Sequence, residues 1–495
     1  MNDSPRRNAD PYRALGVRPF INCASVRTAH SGSLMLPQVR AAIDRASRAF
    51  VGMDELMEGA SRRIAELTGA EWGIVTCGSA AALTLSTAAC VAGNDPVKIM
   101  RLPFTEGLPN RVIMPRNQRF AYDQSIRAVG THIIEIETIA DLDAALEQPV
   151  AMIAVLGTHE DASAVRLKDI VPRARARGIP VLVDAASEHI ARPIPWLERG
   201  ADLVIYSGGK FLRGPQTSGL LLGRKNLVQA AWANASPHQG FARGMKVSKE
   251  DVIGVLAALE VWFEERDPAV ELRRWNEDLA EIARHLHMPG VTTRVIEPRG
   301  VVLVPRLEVA WDASHPLAGE GLRLRLLEGD PRIMLDDMAT GPKSVQIDPF
   351  GLQPDEARQV GEAVARAVRD AEPQAAGRTA PPNVDLSGTW AVTIRFLHGT
   401  RAHRLTLHQD GARLSGEQHS DGFEGSVTGE ITPAGVSLLM QARYEGSTIS
   451  FHLTGEAGPD RMHGRVVLGS MTDHHQGPIN LAQFGTAAWE AVTEN

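Results

Sequence analysis

The hydrophobic and polar positions divide the chain into two regimes. From Trp72 to about Glu260, short apolar runs alternate with stretches whose apolar residues recur at helical spacing. The runs are Ile74 to Thr76, Val112 to Met114, His132 to Ile136, Val150 to Leu156, Val181 to Val183, Leu203 to Tyr206 and Leu220 to Leu222. Runs this short and uniformly apolar predict strands buried on both faces. Their alternation with helices predicts an α/β fold, a mostly parallel sheet covered on both sides. Ahead of them, Leu36 to Phe50 carries Pro37 near its start and Met57 to Leu67 ends at Thr68-Gly69, and both predict helices. After them, Val252 to Trp262 begins a long helix and Val291 to Ala310 reads as strands. Leu322 to Leu327, Ile333 to Leu335 and a helix from Pro354 to Val368 complete a smaller α/β lobe.

The second regime follows Glu372 to Asp385, a Pro/Ala/Gly-rich linker. There the period falls to two: Trp390, Val392, Ile394 and Phe396 alternate with smaller or polar residues, as do Leu405 and Leu407, Val436 and Leu438, and Ile449, Phe451 and Leu453. Turns recur at Asp410-Gly411, Asp421-Gly422, Ala434-Gly435 and Glu445-Gly446. The spacing predicts about eight short strands in a C-terminal antiparallel β-barrel or sandwich over residues 386–495.

Composition narrows the function classes. A chain of 495 residues with a 43% hydrophobic share can build two or three domains with a large core. Its formal net charge of −7 leaves no basic footprint for nucleic acid. Cys23, Cys77 and Cys90 cannot form a disulfide framework and show no C-x-x-C spacing, which fits a reducing cytoplasm. The polar start, Met1 to about Tyr12, has no apolar leader segment, and no apolar run approaches membrane-spanning length, so a soluble cytoplasmic protein is expected. His474-His475 and the scattered His403, His408 and His419 lack the helical pairing or Cys partners of a metal site, and no metal is expected.

The candidate chemistry sits where apolar runs end. Leu203-Val204-Ile205-Tyr206 is broken by Ser207-Gly208-Gly209 immediately before Lys210, which puts an amine at the carboxyl end of a buried strand. That edge is where ligands sit in open α/β sheets, and a lysine desolvated there can act as a nucleophile. Taken alone, Lys210 reads as a solvated loop residue. Two other stretches change the picture. Asp184 ends the run Val181-Leu182-Val183, with small Ala185 and Ala186 behind it. Ile74 to Ala89 turns at Gly78 into a helix of small residues beginning with Ser79, and a helix start with free amides suits a phosphate. A P-loop fails on spacing, because Val204 and Phe211 stand where Gly and Ser or Thr are required, and no G-x-G-x-x-G opens a helix near the start. Phosphate cradle, buried acid and strand-end lysine are together the parts needed to hold pyridoxal 5'-phosphate.

The run SGGKFLRGPQTSGLLLGRKNL, with VDAASE, ELTGAEWGIVTCGSAAALTLSTAACVAG and MKVSKEDVIGVLAALE, resembles the D-glucosaminate-6-phosphate ammonia lyase group. That group is related to L-seryl-tRNA selenium transferase, within the aspartate aminotransferase fold (fold type I) of pyridoxal phosphate enzymes. The resemblance runs from about Leu15 to about Val368, the lysine motif being its most specific part. It implies a segment 1–70 that joins the small lobe, a cofactor domain over 71–262 and the small lobe over 263–371, with the linker 372–385 beyond. It also implies that Lys210 is the Schiff-base lysine, that Asp184 partners the pyridinium, and that Gly78, Ser79 and Ser207 contact the phosphate. The pattern departs near the start. In place of Asn-Ala-x-Gly-Thr and Gly-Gly-Ser the chain has Asn22-Cys23-Ala24-Ser25-Val26 and Ser31-Gly32-Ser33, and Asn22 and Ser33 are carried as substrate-facing candidates.

The activity implied is a lyase of the ammonia-lyase type. It acts on a small β-hydroxy or sugar-derived amino acid and releases a 2-keto acid and ammonia. Arg213, three residues beyond the lysine, and Arg332 are candidate guanidinium partners for a substrate carboxylate, and each is equally open to a structural ion pair. Arg243 and Lys246 are candidates for a phosphate. His159 follows a predicted strand and is placed to stack on the cofactor ring, with a surface-loop role left open. Gln216 and Thr217 are placed to reach a neighbouring subunit's phosphate, because active sites of this fold usually lie across a homodimer interface. Aldol cleavage, racemisation, decarboxylation and transamination use the same parts and stay open, as does a catalytically degenerate ligand-binding member.

Overall fold

A computed structural model describes residues 10–298, 303–371, 384–432, 435–471 and 484–494. Most of the expected linker, the start of the chain, Ala434 of one expected turn and the pair His474-His475 lie outside the described residues. The chain divides into two compact units: Met1–Gln118 with Tyr122–Ala371, and Glu372–Asn495 with Arg119–Ala121.

In the first unit, β1 (Ile21–Cys23) precedes the strands of the main sheet: β2 (Trp72–Thr76), β3 (Arg111–Pro115), β4 (His132–Ile136), β5 (Met152–Leu156), β6 (Val181–Asp184), β7 (Leu203–Ser207) and β8 (Gly219–Gly223). Their order is β2-β8-β7-β6-β5-β3-β4, a seven-stranded sheet. Every residue of β2, β6 and β8 is buried, as their unbroken apolar runs require. The pairings are parallel except at β8, which is antiparallel to both β2 and β7. The segment between β7 and β8 is too short for a helical crossover, so the chain returns as a hairpin. One consequence is that the carboxyl end of β7 and the start of β8 share an edge with the ends of β5 and β6, with Leu156 opposite Asp184 and Asp184 opposite Ile205.

The smaller lobe holds β9 (Val291–Ile296), β10 (Arg306–Trp311), β11 (Ile333–Leu335) and β12 (Ser344–Ile347). An antiparallel sheet of order β12-β10-β9 packs beneath the helices Pro268–Arg284, Gly319–Glu328 and Glu356–Arg369. Leu279, Ile282, Leu307, Val309, Leu322 and Val360 belong to its core. Strand β1 pairs parallel with β11, so the amino-terminal segment is part of this lobe before it reaches the main sheet.

The second unit is a closed antiparallel barrel of β13 (Gly388–Arg395), β14 (Thr400–Asp410), β15 (Arg413–Ser420), β16 (Phe423–Thr432), β17 (Gly435–Tyr444), β18 (Ser447–Ala457), β19 (Arg461–Met471) and β20 (Thr486–Thr493). Trp390, Val392 and Ile394 alternate inward along β13. Because β13 pairs with both β14 and β20, the sheet closes and presents no free edge, which distinguishes a barrel from a sandwich. Among the described residues no helix is long and apolar enough to cross a membrane, and no group of His, Cys, Asp and Glu could hold a metal ion.

Candidate active site

Strand β7 delivers Ser207 to the carboxyl edge of the sheet, and the chain then folds back on itself. The Gly208 amide donates to the Ser218 carbonyl at 2.9 Å and the Gly214 amide to the Gly208 carbonyl at 2.8 Å. A Cβ on Gly208 would stand 2.1 Å from Ser218 Oγ, and one on Gly209 would stand 2.3 Å from Gln216 Cα. Close backbone approach, rather than flexibility, therefore dictates both glycines. Lys210 and Arg213 form the next turn, with the Arg213 amide donating to the Lys210 carbonyl at 3.0 Å. Arg213 holds a left-handed φ of 57°.

The Lys210 side chain is half-buried, and its Nζ donates to Ser187 Oγ at 3.0 Å. Burial pushes the amine below its ordinary pKa, while the charge of Asp184 pulls it back up. The amine therefore spends more time neutral, the form in which it can attack a carbonyl. Asp184, the last residue of β6, is 7% exposed. Its Oδ1 accepts from the Ala186 amide at 2.9 Å. Burial raises its pKa, against the lowering effects of that amide and of Lys210. A carboxylate this deep gains from a cationic partner, which a protonated ring nitrogen supplies.

The cradle lies at the end of β2. Gly78 has φ 84° and opens the helix Gly78–Ala92, whose start has no side-chain cap. Cys77, Gly78 and Ser79 are half-exposed and Ala80 is exposed, so the amides of the first turn face an accessible position. Gly219 keeps this turn close: a Cβ there would come within 2.5 Å of the Gly78 carbonyl carbon and 2.7 Å of the Ser79 nitrogen. Ser79 Oγ is 3.5 Å from the Tyr206 carbonyl, which ties the helix start to β7. Ser207 stands half-exposed at the end of that strand. The residues present thus fit an aromatic aldehyde phosphate: amides for the anion, an acid for a ring nitrogen and an amine for the aldehyde.

The amino-terminal segment closes over the lysine loop. The Ser33 amide donates to the Gly209 carbonyl at 3.1 Å, and Ser33 Oγ donates to the carbonyls of Gly209 at 3.0 Å and Lys210 at 2.7 Å. Asn22 shapes its own turn, Nδ2 donating to the Ser25 carbonyl at 2.8 Å and Oδ1 accepting from the Ala24 amide at 2.9 Å. Ser25 and Ser31 hold left-handed φ values of 62° and 68°. These are the positions where the resemblance expects glycine.

The remaining candidates separate by place. His159 lies half-buried on the turn Gly157–Ala162 directly after β5, its Nδ1 3.0 Å from Thr158 Oγ1, on the edge that carries Asp184. Arg213 is half-buried beside the lysine loop, its Nε donating to the Leu34 carbonyl at 3.0 Å. Burial first, then the neighbouring Arg274, pushes its pKa down. Exposed Gln216 donates to the Thr28 carbonyl at 3.2 Å, and exposed Thr217 to Asp251 Oδ1 at 3.1 Å. Arg332 stands just before β11, with its guanidinium on the carbonyls of Leu327 and Arg18 at 3.0 and 3.2 Å. The structure thus gathers Lys210, Asp184 and Ser33 around one edge, beside Gly78, Ser79, Ser207 and Arg213, and gives Arg332 to the backbone of the lobe. Sequence reasoning missed Ser187 and Glu188. Both lie in the motif VDAASE, yet nothing in its apolar pattern marks a loop serine as the lysine's partner.

Residues 137–240 match the aminotransferase class-V family model. The 5'-C-glycyluridine monooxygenase-decarboxylase of a Streptomyces species is 32% identical over 361 residues, covering 70% of this chain and 88% of the relative. The D-glucosaminate-6-phosphate ammonia lyase of Salmonella typhimurium is 34% identical over 260 residues, covering 50% of this chain and 69% of the relative. A solved structure of D-glucosaminate-6-phosphate ammonia-lyase superposes with a TM-score of 0.64 at 27% identity, covering 73% of this chain and 99% of that one.

Proposed function

From the premise that the chain belongs to the pyridoxal phosphate enzyme family of D-glucosaminate-6-phosphate ammonia lyase, we propose that it removes ammonia from a β-hydroxy or sugar-derived amino acid. The observation that carries this reading is the placement of Lys210 Nζ and buried Asp184 at the ends of neighbouring strands, beside an uncapped helix start.

When bound, the cofactor supplies an aldehyde for an amine and a ring that accepts the electron pair left when a bond to the substrate's α-carbon breaks. Lys210 would hold the cofactor at rest, and its Nζ takes the substrate's α-proton, for which its lowered pKa suits it. Asp184 keeps a proton on the ring nitrogen. Gly78, Ser79 and Ser207 hold the phosphate, with Gln216 and Thr217 placed for a partner subunit's phosphate in a homodimer. His159 would stack on the ring. Arg213 takes the substrate carboxylate, and the backbone anchored by Ser33 borders it. The β-hydroxyl then leaves as water. Hydrolysis of the resulting unsaturated amine consumes a water, so the net products are a 2-keto acid and ammonia.

A second reading follows from the longer match to the monooxygenase-decarboxylase, which covers most of that relative. There the bond lost at the α-carbon is the one to the carboxylate, with dioxygen as oxidant. One experiment separates them: the cofactor-loaded protein is supplied with β-hydroxy amino acids and amino sugar acids, and ammonia, carbon dioxide and oxygen uptake are followed together. Ammonia with a 2-keto acid and no oxygen uptake supports the lyase. Carbon dioxide with oxygen uptake supports the second reading, and neither product from any substrate contradicts both.

A further inference from the structure

Glu188 lies in the turn after β6, and no step above uses it. It is only 7% exposed. Its Oε2 accepts from Trp196 Nε1 at 2.7 Å, and its Oε1 has no hydrogen-bond partner among the described residues. A Cβ on Gly157 would stand 2.2 Å from that Oε1 and 3.2 Å from the Asp184 carbonyl oxygen, so Glu188 packs directly behind the residue that ends β6. With Tyr206, Ser207, Phe211 and Trp262 it lines a small cavity at the end of β7. The titratable and charged groups that face it are Asp184 from β6, Tyr206 from β7 and Arg199 after the helix Pro195–Glu198. Arg199 is engaged elsewhere, stacked on the Trp196 ring at 4.5 Å and 2.6 Å from Glu160 Oε1. Glu188 is therefore a buried carboxyl with one oxygen bonded and, among the described residues, one oxygen orphaned and no counter-ion of its own. The acidic group whose charge acts on it is Asp184, the residue assigned to the ring nitrogen.

We propose that Glu188 is a positioning residue that acts through Asp184, its charge setting how strongly this edge of the sheet holds a proton on the cofactor. The proposal rests on the assignment of Asp184 to the ring nitrogen. Burial first, and then the charge of Asp184, push the Glu188 carboxyl up to about 7, against the Trp196 hydrogen bond and Arg199. Between its ordinary value of 4.5 and about 7, the folded protein thus keeps a proton that the unfolded chain has lost. The stability linked to that proton is complete at the acid end of this window and is lost as pH rises through it.

Glu188→Gln keeps the shape and the Trp196 contact and stays neutral. On cofactor-free protein, the Tm of the variant minus that of the wild type is expected to rise from pH 5 to pH 8. In an Asp184→Asn background the rise sets in at lower pH, because the opposing charge is gone. On cofactor-loaded protein, titration of the visible absorbance band is expected to shift to lower pH by about half a unit in Glu188→Gln, since a negative charge favours nearby cations. A pH-independent Tm difference, or a rise that Asp184→Asn does not move, overturns the proposal. So does a visible band that is present and unshifted, while the cofactor reading stands. A wild type that forms no visible band with added cofactor overturns the cofactor reading and this proposal with it.

Discussion

Two segments meet at the Lys210 loop, and they solve the same steric problem differently. The loop from Ser207 to Ser218 meets its close approaches with glycine: Gly208 lies against Ser218, and Gly209 against Gln216. The segment from Asn22 to Ser33 places serine at two left-handed positions, Ser25 and Ser31, and keeps glycine only at Gly32, where a Cβ would stand 2.7 Å from the Gly209 carbonyl. A left-handed non-glycine residue costs about 1–2 kcal/mol. The lysine loop thus meets its close approaches with glycine and carries one left-handed non-glycine residue, Arg213, whereas the amino-terminal segment carries two. Strain that persists beside a reacting group points to a constraint of function. The comparison teaches that close backbone approach fixes glycine at Gly208 and Gly209, whereas a left-handed φ alone leaves serine in place at Ser25 and Ser31.

The largest break in this comparison is expected from Gly209→Ala. Its Cβ cannot be placed without moving the Gln216 backbone or releasing Ser33, which costs about 3 kcal/mol and disturbs the amine. Thermal unfolding and cofactor uptake, read as visible absorbance, check both parts. Asp184→Asn separates stability from chemistry. Burial penalises the charged form, so the cofactor-free variant is expected to be as stable as the wild type or about 1 kcal/mol more so at neutral pH. Its turnover falls by about a hundredfold or more, because the neutral amide no longer holds the ring proton. A variant both unstable and inactive would place Asp184 in the scaffold. The smallest effect is expected from Ser31→Gly: relief of the left-handed strain, partly offset by the added chain entropy of glycine, leaves a gain of about 0.5 kcal/mol. A change of KM beyond that of stability would assign the Ser31 side chain to the substrate, and a loss of stability would refute the strain.

The candidate residues were legible because they sit where periodicity breaks. Asp184, Ser207 and Lys210 end or follow uniformly apolar runs, and Gly78 stands between a strand and a helix of small residues. The antiparallel sense of β8 was not legible, since its run Leu220 to Leu222 reads the same in either direction and only the short return from β7 reverses it. Leu322 to Leu327 proved to lie in the helix Gly319–Glu328 of the lobe. The period of two announced the second unit, but closure depends on β13 meeting β20, a pairing far apart in sequence. The Ser187–Lys210 contact and the depth of Glu188 arise from tertiary packing alone. Asn22 and Ser33 look alike as polar residues in a motif. The structure spends Asn22 on its own turn and Ser33 on the carbonyls of the lysine loop.

The account depends on one amine. Borohydride reduction of the cofactor-loaded protein, followed by proteolysis and mass analysis, tests it most directly. The account predicts the added cofactor mass on the peptide that carries Lys210 and its loss in Lys210→Ala. Label on a different lysine, or a fully retained visible band in Lys210→Ala, would contradict it.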